Sequence, residues 1–235
     1  MLAQYGSNLL VAILLSLHAL KKSKDKSSVF SRLAPYLKAL GGLTADARIL
    51  FRIWAIVPMV KWMVGIERQL PPTRNLKLIE RMQALSMVVY APMEAAAYLA
   101  MHKVLPISDR VQNNLWLYGC RLWAAYVVLD FWHIMEDNRL LRTRAKALEK
   151  SRGHPSPSST ESATLTEEQE ATRRMWSDIY ARKDMLLTQF WVNVGYLPLT
   201  LHWSLTKGLI SDGWVGFFGM IAGLASWRMQ WKATA

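Results

Sequence analysis

The chain has 235 residues, is 52% hydrophobic with 11 Trp and 12 Met, and sets 29 Lys and Arg against 17 Asp and Glu for a formal charge of +12 at pH 7. Mean hydropathy is nonetheless positive, at +0.09, so the basic charge sits largely outside the apolar runs and favours an anionic lipid surface over nucleic acid as partner. Cys120 is the only thiol, which excludes an intrachain disulfide framework.

In chain order the pattern predicts about six helical segments and no good strand. Leu9 to Leu20 is the first, closed by the charged run Lys21 to Lys26. Its apolar centre has no basic residue ahead of it and no small-residue cleavage site, so it does not read as a secretory signal. The terminal Ala-Thr-Ala does not match a C-terminal tripeptide address, so any organelle targeting is expected in the body of the chain. Val29 to Leu40 reads as a short amphipathic piece ended by Gly41-Gly42. Thr44 reads as the N-cap of a helix running to about Pro58, with Asp46 in its first turn.

That helix is the most informative amphipathic segment. At 100° per residue Arg48 and Arg52 lie within about 40° of each other. Ile49, Leu50, Phe51, Ile53, Trp54, Ile56 and Val57 fill the wide remainder. A narrow cationic stripe beside an apolar arc suits a helix lying in the lipid interface, with Arg48 and Arg52 among phosphates and Trp54 among acyl chains. The alternative is an ordinary bundle helix whose arginines are solvated.

Beyond a Pro71-Pro72 loop, a helix from about Leu76 to Val104 carries Pro92 as a kink. It includes eighteen residues, Ala84 to Met101, in which Glu94 is the sole charge. An isolated carboxylate there is costly, and Arg121, the lone base in LWLYGCRLWAAYVVL, is its expected ion-pair partner. Asp109 is read as the cap of a long helix through Leu148. Asp130, His133, Glu136 and Asp137 within it have the i, i+3 and i+4 spacing of metal ligands, but no second histidine motif accompanies them, so no metal is assigned. With no Walker loop, dinucleotide fingerprint or nucleophile elbow either, no catalytic residue and no cofactor are assigned. No zinc-binding or RNA-binding signature supports a nucleic-acid partner.

Residues 153–166, GHPSPSSTESATLT, have the composition of a solvated linker. The chain divides accordingly into a helical region over 1–150, a linker over 151–170 and a basic helix with a membrane hairpin over 171–235. The hairpin consists of two apolar runs, about 185–206 and 209–231. The first, from Met185 to Thr206, holds 22 uncharged residues, about 33 Å of helix against a hydrocarbon core of roughly 30 Å. Between Arg139 and Arg152 six basic residues face Glu149 alone, a balance of +5, and Arg173, Arg174, Arg182 and Lys183 follow. Cationic loops stay cytosolic, so both ends of the hairpin are expected there. Gly216, Gly219 and Gly223 line one face of the last run and allow close packing, either on the hairpin partner or on a second copy of the chain.

Three segments together resemble the peroxisomal biogenesis factor 11 family, nearest its fungal C-type and animal gamma branch. LGGLTADARILFRIWAIVPMVKW is similar to the family's arginine-containing amphipathic segment, VYAPMEAAAYLA to its Pro-x-Glu helix, and GWVGFFGMIAGLASW to its Gly-rich final span. The resemblance implies an all-α, multi-pass peroxisomal membrane protein with cytosolic ends that promotes elongation and fission of the organelle. Arg48 and Arg52 match basic positions of the family's remodelling helix. Expected partners are anionic phospholipids, further copies of the chain and fission machinery. Two other readings are a small polytopic channel or carrier with Glu94 and Arg121 lining a path, and an adaptor presenting a basic cytosolic face.

Overall fold

A computed structural model describes residues 1–20, 29–68, 71–153 and 167–234, and among them every regular element is helical. The elements are α1 (Leu2–Leu20), α2 (Val29–Arg52), a 3-10 turn (Ile53–Ala55), α3 (Ile56–Arg68), α4 (Arg74–Met101), α5 (Asp109–Arg152), α6 (Glu167–Trp203) and α7 (Asp212–Thr234). The charged run after Leu20 and residues 154–166 of the Ser/Thr/Pro-rich linker lie outside the described residues.

Several boundaries differ from the sequence expectation, each for a local reason. Gly41-Gly42 does not end a helix, because α2 runs straight through it. Gly41 is buried where α2 meets α1, and an added Cβ would stand 2.9 Å from Asn8 Oδ1 and Ser7 Oγ. Thr44 is accordingly a mid-helix residue, its hydroxyl donating back to Leu40 O at 2.7 Å. The break falls later, at Ile53–Ala55. Pro58 has no N–H to offer the Trp54 carbonyl four residues before it, so the helix tightens there and resumes as α3. Pro92 and Pro198 sit inside α4 and α6 without ending them. The cap of α4 is Thr73, whose Oγ1 accepts from Leu76 N at 3.2 Å. Ser108 rather than Asp109 holds the cap position of α5, with Asp109 in the first turn. That helix closes on Gly153, which adopts the left-handed φ of 71° that favours glycine.

The helices pack in a closed ring. In order of neighbours it runs α2, α1, α7, α6, α5, α4 and back to α2 through its end and the 3-10 turn. Helices on both sides of the linker therefore belong to one unit. Beyond the ring, the second half of α5 and the first half of α6 continue as a two-helix arm. Ile134, Leu141 and Leu148, one heptad apart, bury against Trp176, Ile179 and Leu186. The Trp176 indole N–H donates to Gly153 O at 3.1 Å, fixing the arm's tip. Arg139, Arg142, Arg144, Lys146, Lys150, Arg152, Arg173 and Arg174 lie exposed on its outside.

Among the described residues, the two helices long and apolar enough to cross a membrane are the combined 32–68 segment and α4. Helices α6 and α7 pack on each other as an antiparallel pair, but neither meets that criterion among the described residues. Thr188, Gln189, Asn193 and Thr200 lower the apolar character of α6, and three of them are buried inward. The expected C-terminal hairpin is thus a packed helix pair whose passage through a bilayer does not follow from length and hydropathy.

Candidate functional site

At the centre of the ring lies a pocket of about 350 Å³ lined by five of its six members. Helix α2 contributes Ala45, Arg48, Ile49 and Arg52; α4 contributes Tyr90 and Glu94; α5 contributes Trp116, Cys120 and Trp123. Gln4 and Tyr5 enter from α1 and Trp203 from α6. The spacing explains the convergence: 48 and 52, 90 and 94, and 116, 120 and 123 are each one helical face. Trp123 is the hub of the aromatic wall, with ring centroids 6.2 Å from Tyr90, 5.2 Å from Tyr196 and 5.9 Å from Trp203.

The expected Glu94–Arg121 pair does not form. Glu94, only 6% exposed, accepts from Arg52 Nη2 at 2.5 Å and from the Tyr90 hydroxyl at 2.5 Å, both on Oε1. Arg121 instead donates its Nε to Ser204 O at 3.2 Å and lies over the Tyr118 ring. Glu94 and Arg121 sit on neighbouring helices, but the α2 arginine face reaches the carboxylate first. Arg48 donates to Gln4 Oε1 and stands 5.6 Å from the Tyr5 ring centroid.

Arg48 and Arg52 therefore point into the ring instead of outward among phosphates, which corrects the orientation expected of the stripe. The apolar arc takes the outside, where Phe51 and Trp54 are each 77% exposed and Leu43, Leu50, Val57 and Val60 continue the ridge. Only 6% of the most apolar part of this segment is buried within the molecule. A ridge of this size is unfavourable in contact with water.

Gly216, Gly219 and Gly223 do form one seam, and within the chain it receives α1 rather than the hairpin partner α6. A Cβ on Gly219 would stand 2.2 Å from the Tyr5 ring, one on Gly216 2.7 Å from the Leu9 backbone N, and one on Gly223 3.0 Å from Leu2. The contact of α7 with α6 uses a different glycine, Gly195, whose added Cβ would meet Ala222 N at 2.6 Å.

The four residues with metal-ligand spacing go to separate partners. Asp130 accepts from Gln83 and Gln189 at 2.8 Å each and from Asn193 at 2.6 Å, tying α4, α5 and α6 together. His133 meets Glu80 at 3.2 Å, Glu136 meets Arg139 at 3.5 Å, and Asp137 accepts from Arg182. At the open end of the α6–α7 pair Asp184 accepts from Lys232 Nζ at 2.6 Å and Arg228 Nη2 at 2.9 Å. The Lys232 hydrogen bond, with the two nearby cations, holds its carboxyl below the usual range.

Sequence reasoning missed Tyr5, Tyr90, Trp116, Cys120, Trp123 and Trp203 as pocket residues. The 116, 120 and 123 spacing was the available signal on α5; nothing local marks Tyr5, which arrives through packing of α1.

No match to a curated protein or to a solved structure was found. The family model described as Peroxisomal biogenesis factor 11 (PEX11) matches residues 2–231, nearly the whole chain. With that extent of match, the chain belongs to the peroxisomal biogenesis factor 11 family.

Proposed function

We propose that this protein, a peroxisomal membrane-associated member of a family engaged in peroxisome biogenesis and proliferation, elongates the organelle membrane ahead of fission by setting the outer ridge of the 32–68 segment into the bilayer. The exposed row of Leu43, Leu50, Phe51, Trp54 and Val57 carries this reading. Each large apolar side chain taken out of water contributes about 1.5–3 kcal/mol, and insertion from one leaflet spreads that leaflet more than the other. Arg48 and Arg52 act here from within, fixing α2 to α4 and α1 so that the ridge is presented as one rigid edge. Glu67 and Arg81, joined by two hydrogen bonds of 2.6 Å, hold α3 to α4 in the same way. Self-association of inserted copies multiplies the effect. In this topology the ring is multi-pass and both chain ends are cytosolic.

The test is a Phe51→Glu/Trp54→Glu variant of the full chain in anionic liposomes and in cells. Wild type tubulates the liposomes and lengthens peroxisomes; the variant reaches the organelle and does neither. Normal elongation by the variant removes the ridge from the mechanism. A second reading is favoured by the basic outer surface of the α5–α6 arm, which suits an adaptor that recruits fission factors. Loss of fission with normal elongation, on replacing Arg142, Arg144 and Lys146 by Glu, separates the two. A channel would be detected as solute flux from the same liposomes.

A further inference from the structure

The central pocket holds an unbalanced charge. Arg48 and Arg52 both line it, and among the described residues that line it Glu94 is the only carboxylate. Glu94 is already committed to Arg52 and Tyr90 through one oxygen. The Arg52 Nε is fully buried and meets no acceptor among the described residues. Arg48 is held by the neutral Gln4 amide and the Tyr5 ring. A buried guanidinium nitrogen with nothing to donate to is costly, and that cost is relieved by an anionic acceptor. The rest of the wall is Ile49, Trp116, Trp123 and Trp203, which suits an apolar chain. A volume of about 350 Å³ falls in the size range of small-molecule sites, roughly 300–1,000 Å³.

We propose that the ring pocket is a binding site for an amphipathic monoanion, an acyl chain ending in one singly charged oxyanion, with the head between Arg48 and Arg52 and the chain along the Trp116–Trp123–Trp203 wall. One unmatched cation selects one negative charge, and the apolar ridge outside the pocket places the source of the ligand in the membrane. A free fatty carboxylate and the phosphodiester of an anionic phospholipid share this chemistry. The site is separate from the outer ridge, so occupancy and membrane elongation can fail independently.

The experiment measures binding to the detergent-purified full chain by native mass spectrometry, with oleate, dioleoylphosphatidylglycerol and the uncharged methyl oleate as probes. One oleate or one phosphatidylglycerol per chain is expected, and methyl oleate is excluded. Binding of oleate alone identifies a fatty carboxylate as the source; binding of phosphatidylglycerol alone identifies a lipid headgroup. Arg48→Gln should weaken binding by about tenfold or more, as loss of a charged hydrogen bond does. Glu94→Gln, which keeps an acceptor for Arg52 and Tyr90 but removes the competing charge, should tighten it by a similar factor. Arg121→Gln, outside the pocket, should leave it unchanged. The opposite signs at Arg48 and Glu94 guard against misfolding, which would weaken both. Equal uptake of methyl oleate, no uptake of either anion, or unaltered affinity in folded Arg48→Gln and Glu94→Gln variants overturns the proposal. The Phe51→Glu/Trp54→Glu variant should bind as wild type does.

Discussion

Replacing Arg52 by Met removes the partner of a carboxylate that is 6% exposed and leaves Glu94 with the Tyr90 hydroxyl alone. Breaking a buried ion pair from one side costs about 3–5 kcal/mol. The Arg52 side chain keeps 30% of its exposure, and the Tyr90 bond survives, so the lower end, about 3 kcal/mol, applies. For a chain of this size that corresponds to a fall of about 6–12 °C in Tm, read by thermal unfolding in detergent micelles. The informative measurement is the double-mutant cycle. Arg52→Met in a Glu94→Gln background no longer strands a charge, so its cost should drop by about 2 kcal/mol, and that difference is the coupling energy. Arg121→Met paired with Glu94→Gln should be additive within about 0.5 kcal/mol. Coupling of Glu94 to Arg121 rather than to Arg52 would refute the assignment of the pair, and with it the inward orientation of the arginine face.

Gly219→Ala drives a methyl into the Tyr5 ring, 2.2 Å away, and should cost about 1–3 kcal/mol while weakening disulfide crosslinking between cysteines engineered on α1 and α7. Gly42→Ala meets nothing within 4 Å inside a continuous helix and should stabilise by about 0.5–1 kcal/mol; equal behaviour of the two would remove the glycine seam. Because the Asp184 carboxyl titrates below its ordinary range in the folded chain, its link to Lys232 and Arg228 is complete above the unfolded value of about 3.9 and is lost as pH falls through the lower folded value. Amide protection at the end of α7, corrected for the intrinsic slowing of exchange in acid, should therefore fall below about pH 4 in the wild type, and an Asp184→Asn variant should show that lower protection already at pH 7. Deleting 154–166 should leave targeting and organelle number unchanged, as its composition suggests a solvated spacer; altered counts in imaged cells would make it a binding segment.

The helical class was legible because long apolar stretches in this chain are punctuated by few breakers, and the arginine stripe was legible because i and i+4 share a face. The inward direction of that stripe was not, since period fixes which residues share a face but not which face meets the core. Glu94 announced its need for a cation through isolation in an apolar run. Its choice of Arg52 over Arg121 depends on α2 crossing α4 near the 3-10 turn, a tertiary placement that no spacing encodes. Likewise the glycine row predicted a close helix contact without naming the helix. Gly41-Gly42 misled because a glycine pair lowers helix propensity by only about 1 kcal/mol per residue, less than the packing of α2 on α1 returns.

The ring closes where α1 lies in the α7 groove, so two helices far apart in sequence seat each other. Until Gly216 and Gly219 emerge, Tyr5 and Leu9 have nothing of α7 to lie against, and the arginine face of α2 is walled on that side only by α1 itself. Pairings so distant in sequence are slow to form. Before that contact forms the helices make an open arc rather than a ring, and closure sets α1, with Gln4 and Tyr5, against the arginine face of α2.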